Sequence, residues 1–406
     1  MMGNSPGPMQ LKNASRLSVL DQIRRSGTAT KAALAAESGL SFMAIQKIME
    51  ELTGRGLVRQ HAWQAGHVGR KAVIYTIDEH YGYTVGLHVN MFKTRAAVMD
   101  LHGEIVAYRS AGMEELPADP AGLIEALAEM VRQVLAESKV PRKRLLGLGV
   151  GVPGPVDTEA GRVLSPPNLP ALRYMPLGKI MADKLGLPVL LAKDTNAIAM
   201  GEYWRGAGAG YGSVVYVDAD MGIGSGMILN GGVHEGANAI AGEFGHIVID
   251  PHGPLCNCGS RGCLEAMGSG IAILRRISAE LAGTGHPLAG DSARLTLQQV
   301  LAAGSGGDAR VVPVLNDAAH LMGLAIGNII NILDPEVIIL GGALVLEYPP
   351  YFGVVQQAAA TKRLPGAGEN RIVRSGRAWR AGVIGAGEIV ASHFFSHLVG
   401  EVLQKG

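Results

Sequence analysis

Hydrophobic and polar positions change their spacing repeatedly along the first 78 residues, from a helical period to a strand-like one. The pattern predicts three helices and then two strands, at residues 16–25, 31–38, 41–55, 57–63 and 72–77. Thr30 and Ser41 are suitable N-caps for the second and third helices. A glycine-rich basic loop joins the two strands. This order is typical of a winged helix-turn-helix domain.

From about residue 79 the apolar runs are longer and alternate between strand and helix spacing. The order is three strands, then helix, strand, helix, strand and helix, and it returns in a looser form after residue 205. Two related α/β lobes with a cleft between them predict an actin- or hexokinase-like body of the ribonuclease H type. The domains expected are 1–78, 79–204 together with 386–406, and 205–385.

The 406 residues carry a net charge of +1, and this charge is unevenly distributed. Residues 1–78 contain ten Lys or Arg against five Asp or Glu, a net charge of +5, so the remainder is net −4. A small basic head on a mildly acidic body indicates contact with nucleic acid. A small helical packing or dimerisation module is the alternative for this head.

DNA contacts are expected from the third helix in the major groove and from the loop between the strands. The candidate residues are Ser41, Phe42, Met43, Gln46, Lys47, Arg70 and Lys71. Phe42 and Met43 are apolar where a polar reader of bases is the usual choice. Glu50 would repel phosphate if it faced the groove.

The three cysteines of the chain fall within eight residues, at Cys256, Cys258 and Cys263, and His246 lies ten residues before the first. Three thiolates and an imidazole form a complete tetrahedral set for Zn²⁺, which predicts a structural metal with no open position for a catalytic water. Free thiols are the alternative. A disulfide is disfavoured because the count is odd and Cys256 and Cys258 are too close to pair easily.

The first ten residues have no apolar segment of the kind a cleavable signal needs. The most apolar stretch, residues 321–346, is interrupted by Asn328, Asn331, Asp334 and Pro335, so a membrane span is not expected. Together with reduced thiols at a metal, these features favour the cytoplasm.

Several segments resemble the ROK family, which groups repressors, open reading frames and kinases. The most specific is the His246 and cysteine pattern, and it is accompanied in order by 151–157, 194–196, 222–226, 241–246 and 334–342. The resemblance covers nearly the whole chain.

The resemblance implies a sugar pocket. Asp194 matches the base that takes a proton from a sugar hydroxyl, and Glu243, His246 and Glu265 match residues that hold hydroxyls. Gly154 and Asn168 lie in loops that line the pocket. Without any sugar, Asp194 could instead cap a helix, and Glu243 could be a solvated loop carboxylate.

Kinases of this family bind ATP through two loops, and both depart from the pattern here. Residues 88–93 read His-Val-Asn-Met-Phe-Lys in place of Asp-x-Gly-Gly-Thr, and the second loop begins with Asp220. We therefore expect no use of ATP, no enzymatic activity, and a vestigial role for Asp194.

The expected function is a DNA-binding regulator, most often a repressor, that responds to a sugar or sugar phosphate. Its partners are operator DNA and a second copy of the chain, as a homodimer or tetramer. One alternative is a sugar kinase that carries a DNA-binding head. Another is a zinc-stabilised scaffold whose pocket binds a partner protein.

Overall fold

The structure is a computed structural model that describes residues 8–64, 72–166, 169–289, 295–362, 364, 371–376 and 380–401. The chain forms two compact units. The first comprises Met1–Arg205 and Gly382–Gly406, and the second comprises Gly206–Ala381. The expected division into three domains stays a prediction.

Three helices and a small antiparallel sheet form the N-terminal part of the first unit, which we call the head. Its elements are α1 (Pro8–Ser26), β1 (Ala29–Thr30), α2 (Lys31–Ser38), α3 (Phe42–Gly54), β2 (Val58–Gln64) and β3 (Ala72–Ile77). Strand β3 lies between β1 and β2. The three helices and the last two strands follow in the order that the hydrophobic pattern predicts, whereas the two-residue strand β1 was not predicted.

Helix α3 is amphipathic, and its apolar side builds the core of the head. Ile45, Ile48, Met49 and Leu52 are buried together with residues of α1. Ser41 caps the helix, because its hydroxyl accepts a hydrogen bond from the amide of Ala44 at 3.2 Å. The predicted cap at Thr30 is also observed, through the amide of Ala33 at 3.2 Å.

The rest of the first unit is a five-stranded sheet covered by helices, which we call the first lobe. Its elements are β4 (Tyr83–Val89), β5 (Lys93–Asp100), β6 (Ile105–Gly112), α4 (Pro120–Ser138), β7 (Leu145–Val152), β8 (Val156–Asp157), β9 (Arg162–Val163), α5 (Leu177–Leu185), β10 (Val189–Lys193), α6 (Asp194–Arg205) and, at the end of the chain, α13 (Arg380–Glu401). The strand order is β10-β7-β4-β5-β6, with β10, β7 and β4 parallel. His88 and Asp194 therefore stand at one edge of the sheet, where these parallel strands end.

The second unit repeats this arrangement. Its elements are β11 (Val214–Ala219), β12 (Ile223–Leu229), β13 (Gly232–Val233), α7 (Leu264–Gly268), α8 (Gly270–Leu281), α9 (Leu297–Ser305), α10 (Val311–Leu333), β14 (Val337–Gly341), α11 (Ala343–Leu346), α12 (Pro349–Ala360) and β15 (Arg371–Arg374). The order is β15-β14-β11-β12-β13, again with three parallel strands followed by two antiparallel ones. The repeat predicted from the sequence is confirmed.

Helix α13 packs unusually close to the first lobe. A Cβ added at Gly385 would lie 1.6 Å from the carbonyl oxygen of Ala197, and one added at Gly86 would lie 2.0 Å from that of Val383. Only glycine permits these approaches. The helix begins at Arg380 and contains glycines at 382 and 385, which lower helix propensity. Tertiary packing outweighs that propensity.

A buried carboxylate joins the head to the first lobe. Glu388 of α13 accepts hydrogen bonds from Arg24 of α1 at 2.8 Å and from Arg205 of α6 at 2.6 Å. The side chains of Arg24 and Glu388 are 1% and 3% exposed. The Arg24 guanidinium also lies over the rings of Trp204, at 3.9 Å, and Phe395, at 4.5 Å. We call these five residues the head anchor.

Among the described residues, no helix is both long and apolar enough to cross a bilayer.

The head anchor predicts a large loss of stability for Glu388→Gln. The substitution would leave the buried Arg24 with only the partly exposed Asp21, at 3.4 Å, and would remove the carboxylate that Arg205 contacts. Breaking a buried ion pair in this way costs about 3–5 kcal/mol in the free energy of unfolding. Glu137→Gln is the control, because Glu137 pairs with Arg109 on the surface and both side chains are solvated. Urea unfolding should show a large shift for the first variant and none for the second. Equal midpoints would contradict the assignment.

The same carboxylate predicts a pH dependence. Burial alone would raise the pKa of Glu388, but Arg205 and Arg24 outweigh burial and the pKa lies below its ordinary value of 4.5. A lowered pKa stabilises the folded state above pH 4.5, and the gain is lost as the pH falls through the lowered pKa. The stability difference between wild type and Glu388→Gln should therefore be full at neutral pH and shrink below pH 4.5. A constant difference would contradict this.

Candidate functional site

His246 and the three cysteines meet in the second unit. Their ligand atoms all lie within 4.8 Å of one another. His246 ends a single 3-10 turn, Phe244–His246, and Cys263 directly precedes α7. The Nδ1 atom of His246 is 3.6 Å from the sulfur of Cys256, and the sulfurs of Cys258 and Cys263 are also 3.6 Å apart. The sequence prediction of one four-residue cluster is confirmed.

Tight backbone turns aim the sulfurs at one point. The amide of Cys256 donates to the carbonyl oxygen of Ser260 at 2.8 Å, and that of Gly259 donates to Cys256 at 3.0 Å. Gly262 has a φ of +67°, and a Cβ there would lie 1.5 Å from the carbonyl oxygen of Asp250. Glycine is therefore required at this position.

The cluster fits zinc. Ligand bonds of about 2.3 Å in a tetrahedron separate sulfurs by about 3.8 Å, close to the spacing found here. Burial raises the pKa of Cys263 to about 12, whereas a backbone hydrogen bond with Ser260 lowers the pKa of Cys258. Zinc, when bound, would hold all three sulfurs as thiolates and stabilise the loop. All four positions of the tetrahedron are filled by protein, as expected of a structural site.

Two carboxylates named as sugar ligands lie beside this cluster. Nε2 of His246 faces Glu243 at 4.0 Å, while Nδ1 faces the sulfurs. Both side chains are about one third exposed. One ring can therefore contact a metal through Nδ1 and leave Nε2 available to another ligand, so the two roles predicted for His246 are compatible.

Glu265 links the cysteine loop to the second predicted phosphate loop. It follows Cys263 by two residues on α7, and its carboxylate accepts a hydrogen bond from the amide of Ile223 at 3.0 Å. In the same loop, the carboxylate of Asp220 accepts from the amide of Met221 at 2.8 Å. Two backbone amides of residues 220–224 are thus occupied by carboxylates of the protein itself.

The first unit contains the other sugar candidates. Asp194 is the first residue of α6, is half-buried, and accepts a hydrogen bond from the amide of Thr195 at 2.7 Å. Gly154 follows β7 and packs against Pro166. Asn168 lies outside the described residues. Asp194 and Gly154 thus belong to the first unit, and Glu243, His246 and Glu265 to the second.

One further polar candidate, Asn196, was not identified from the sequence. Asn196 is buried on the first turn of α6, two residues after Asp194, and its Oδ1 atom has no hydrogen-bond partner among the described residues. A buried acceptor without a partner is unusual. The Asp-Thr-Asn segment was a signal that could have identified it as a further candidate.

His88 lies at the end of β4. In the ROK kinases that the sequence resembles, a carboxylate occupies this position. The ring is 4% exposed, and neither nitrogen has a partner among the described residues. Helix α13 passes so close that a Cβ at Gly382 would lie 2.7 Å from the ring. Burial, with a smaller effect from Arg95, lowers the pKa of His88 to about 3, so the imidazole is neutral. A neutral, enclosed ring cannot replace a carboxylate that serves Mg²⁺.

The turn after His88 satisfies its own amides. The Oδ1 atom of Asn90 accepts hydrogen bonds from the amides of Phe92 at 2.9 Å and Lys93 at 2.8 Å. In a phosphate-binding loop such amides point at phosphate oxygens. Here a side chain already occupies them, which the sequence alone did not reveal.

The DNA candidates lie on one side of α3. Phe42, Met43 and Lys47 are exposed and Gln46 is half-buried, while Ser41 caps the helix. Arg70 and Lys71 lie outside the described residues.

The family model described as ROK family matches residues 84–393. The chain belongs to the ROK family. The match spans both lobes and leaves the head outside it.

Similar proteins include regulators and kinases. The DNA-binding transcriptional repressor Mlc of Escherichia coli is 26% identical over 97% of both chains. A glucokinase of Thermotoga maritima is 32% identical over 66% of this chain and 84% of its own length. The crystal structure of a ROK family transcriptional regulator, described as a homologue of the E. coli Mlc protein, superposes with a TM-score of 0.79 at 26% identity, covering 97% of this chain and 99% of its own.

Zinc content tests the metal centre. The purified wild type should carry one zinc per chain by plasma mass spectrometry, because four protein ligands converge on one point. His246→Ala removes one ligand and should lose the metal during dialysis against a chelator that leaves the wild type loaded. His252→Ala, at an exposed histidine of the same loop, should retain it. Metal-free wild type, or equal retention in both variants, would refute the site.

Proposed function

We propose that this chain is a sugar-responsive, DNA-binding transcriptional regulator, acting as a repressor, that makes no use of ATP. The observation that carries the proposal is the pairing of a helical head with a ROK body whose first phosphate loop is closed by its own side chains. The head supplies a DNA contact, and the body keeps a sugar-binding set without a phosphate cradle.

The coverage of the relatives supports the regulatory branch of the family. An alignment with Mlc over 97% of this chain must include most of the head. The glucokinase alignment covers only 66% of this chain. Phosphoryl transfer does not require a head of this kind, whereas a repressor requires a DNA-binding domain.

The closed loops argue against phosphotransfer. His88 is neutral and enclosed, Asn90 occupies two amides of the turn, and Asp220 adds negative charge to the second loop. Phosphoryl transfer depends on cations and backbone amides aimed at phosphate oxygens. The retained Asp194 then binds a hydroxyl without taking part in a reaction.

The sugar ligands proposed are Asp194, Glu243, His246, Glu265, Gly154 and Asn168. Sugar hydroxyls both donate and accept hydrogen bonds, so a site for them needs carboxylates and an imidazole held in fixed orientations. Zinc would supply that rigidity for the loop bearing Glu243, His246 and Glu265. The effector is a sugar or sugar phosphate.

Helix α6 is suited to carry the signal. Asp194 begins this helix of 12 residues, and Trp204 and Arg205 of the head anchor end it. The neighbouring Tyr203 accepts a hydrogen bond from Arg25 of α1. Helix α6 is about 18 Å long. A shift of the helix on sugar binding would therefore move the surface against which α1 packs.

DNA binding is proposed for the outer side of α3 and for Arg70 and Lys71. Two copies of the chain, as a dimer or within a tetramer, would present two heads to a two-fold operator. A change in the position of the heads would alter the half-site spacing that they can match, and release the DNA.

Asp194→Asn tests the sugar response. We expect sugar affinity to fall about 10- to 100-fold, since a hydrogen bond to a charged group is lost. DNA affinity without sugar should be unchanged. Fluorescence anisotropy on duplexes selected from a random pool, with and without a panel of sugars, measures both quantities. Asp183→Asn, at an exposed carboxylate of α5, is the control.

An undiminished sugar response in Asp194→Asn would remove Asp194 from the site. If no duplex is retained under any condition, the regulator itself is refuted.

The intact Asp194 and the glucokinase relative support one other function, a sugar kinase with a DNA-binding head. A coupled assay separates the two. With ATP·Mg²⁺ and the sugar panel we expect no sugar-dependent ADP, whereas turnover above about one per second would establish a kinase.

A further inference from the structure

Two large apolar side chains stand in solvent at the start of the helix proposed to read DNA. Phe42 is 53% exposed and Met43 is 72% exposed, while the inner side of α3 is buried in the core of the head. Most of the surface of both side chains is therefore not used for packing in the core. The inference that follows rests on the proposed DNA-binding function and concerns what these residues recognise.

The position of the two side chains is the one from which bases are read. In helix-turn-helix proteins the N-terminal residues of the recognition helix contact base edges in the major groove. Met43 shares a stripe with Gln46, Lys47 and Glu50, at spacings of three, four and seven residues. Phe42 precedes this stripe on the same exposed side.

Two polar residues of the stripe, Gln46 and Glu50, are hydrogen-bonded to each other. Nε2 of Gln46 donates to Oε1 of Glu50 at 2.9 Å. A glutamine that reads adenine uses its amide group bidentately, which would disturb this bond. Glu50 also repels phosphate. Phe42 and Met43, in contrast, can contact bases without breaking a side-chain hydrogen bond.

Only one feature of the major groove is apolar. Guanine, adenine and cytosine present hydrogen-bond donors and acceptors there, whereas thymine also presents its C5-methyl group. We propose that Phe42 and Met43 contact thymine methyl groups and so determine operator specificity. Each half-site should then contain thymine opposite the first turn of α3.

A protein partner fits this patch less well. The patch consists of two side chains bordered by Ser41 and Lys47, far less than the roughly 800 Å² per partner of a stable interface. The sequence of the head, residues 1–78, carries a net charge of +5, and the exposed Lys47 lies four residues from Met43 on the same side of α3. A small apolar patch beside a lysine, on a head of net positive charge, complements DNA, whose phosphates flank the groove.

Deoxyuridine provides a test at the level of one methyl group, since it differs from thymidine only there. A duplex is first selected from a random pool with the full chain, and each thymine is then replaced singly by deoxyuridine. We expect binding to weaken about fourfold at each contacted thymine, the value of one buried carbon group. Replacement elsewhere in the duplex should have no effect.

Variants locate the contact on the protein. Phe42→Ala and Met43→Gln should each abolish the sensitivity to deoxyuridine at its own thymine and leave the other sensitivities intact. Ile332→Gln is the control, because Ile332 is 78% exposed and lies in the second unit. It should bind every duplex as the wild type does.

The outcomes separate the two hypotheses. If no duplex is bound, the proposed function fails and the inference fails with it. If duplexes are bound without any effect of deoxyuridine, or with an effect that both variants retain, thymine reading is wrong and DNA binding stands. If Phe42→Ala or Met43→Gln changes the sedimentation of the protein while methyl sensitivity persists, the patch is a protein interface and the inference is overturned.

Discussion

The first unit depends on one carboxylate buried between two guanidinium groups. Glu388 is desolvated, and its charge is stabilised because Arg24 and Arg205 approach it from the head and from α6. A hydrophobic contact of the same area could slide, but a buried ion pair loses several kcal/mol when its geometry is broken. The head is therefore held in one orientation on the first lobe. A helix that reads DNA, as proposed for α3, requires such a constraint on its position.

A second constraint operates within the other unit. The cysteine loop, α7 and the turn at residues 220–224 form a connected series, because Glu265 follows Cys263 and binds the amide of Ile223. A metal at the cysteines would therefore fix more than its own loop. The same carboxylate is a proposed sugar ligand, so sugar binding would compete with, or tighten, its contact to Ile223. Either change would alter the turn at residues 220–224, which corresponds to the second phosphate loop of the kinases.

Local patterns made much of this structure predictable, and long-range packing made the rest unpredictable. The caps at Thr30 and Ser41, the buried side of α3 and the His/Cys cluster follow from residues near one another in sequence. The head anchor does not, since Arg24 and Glu388 are 364 positions apart. The first turns of α13 depend on Gly382 and Gly385, which allow close approach to His88 and Ala197, and helix propensity does not encode these contacts.

The proposed lack of ATP binding has two physical components in the first phosphate loop. Removing a ligand carboxylate would leave a polar space that water could fill, and a single reversion could restore it. Here His88 fills the space, and α13 packs against its ring. Asn90 then binds the amides of Phe92 and Lys93, so the turn is stable without phosphate. A loop that satisfies its own hydrogen bonds gains little from a nucleotide, because any phosphate must first displace the Asn90 side chain. In the proposed function, Asp194 needs no nucleotide to bind a hydroxyl, so closing the phosphate loop does not by itself prevent sugar binding.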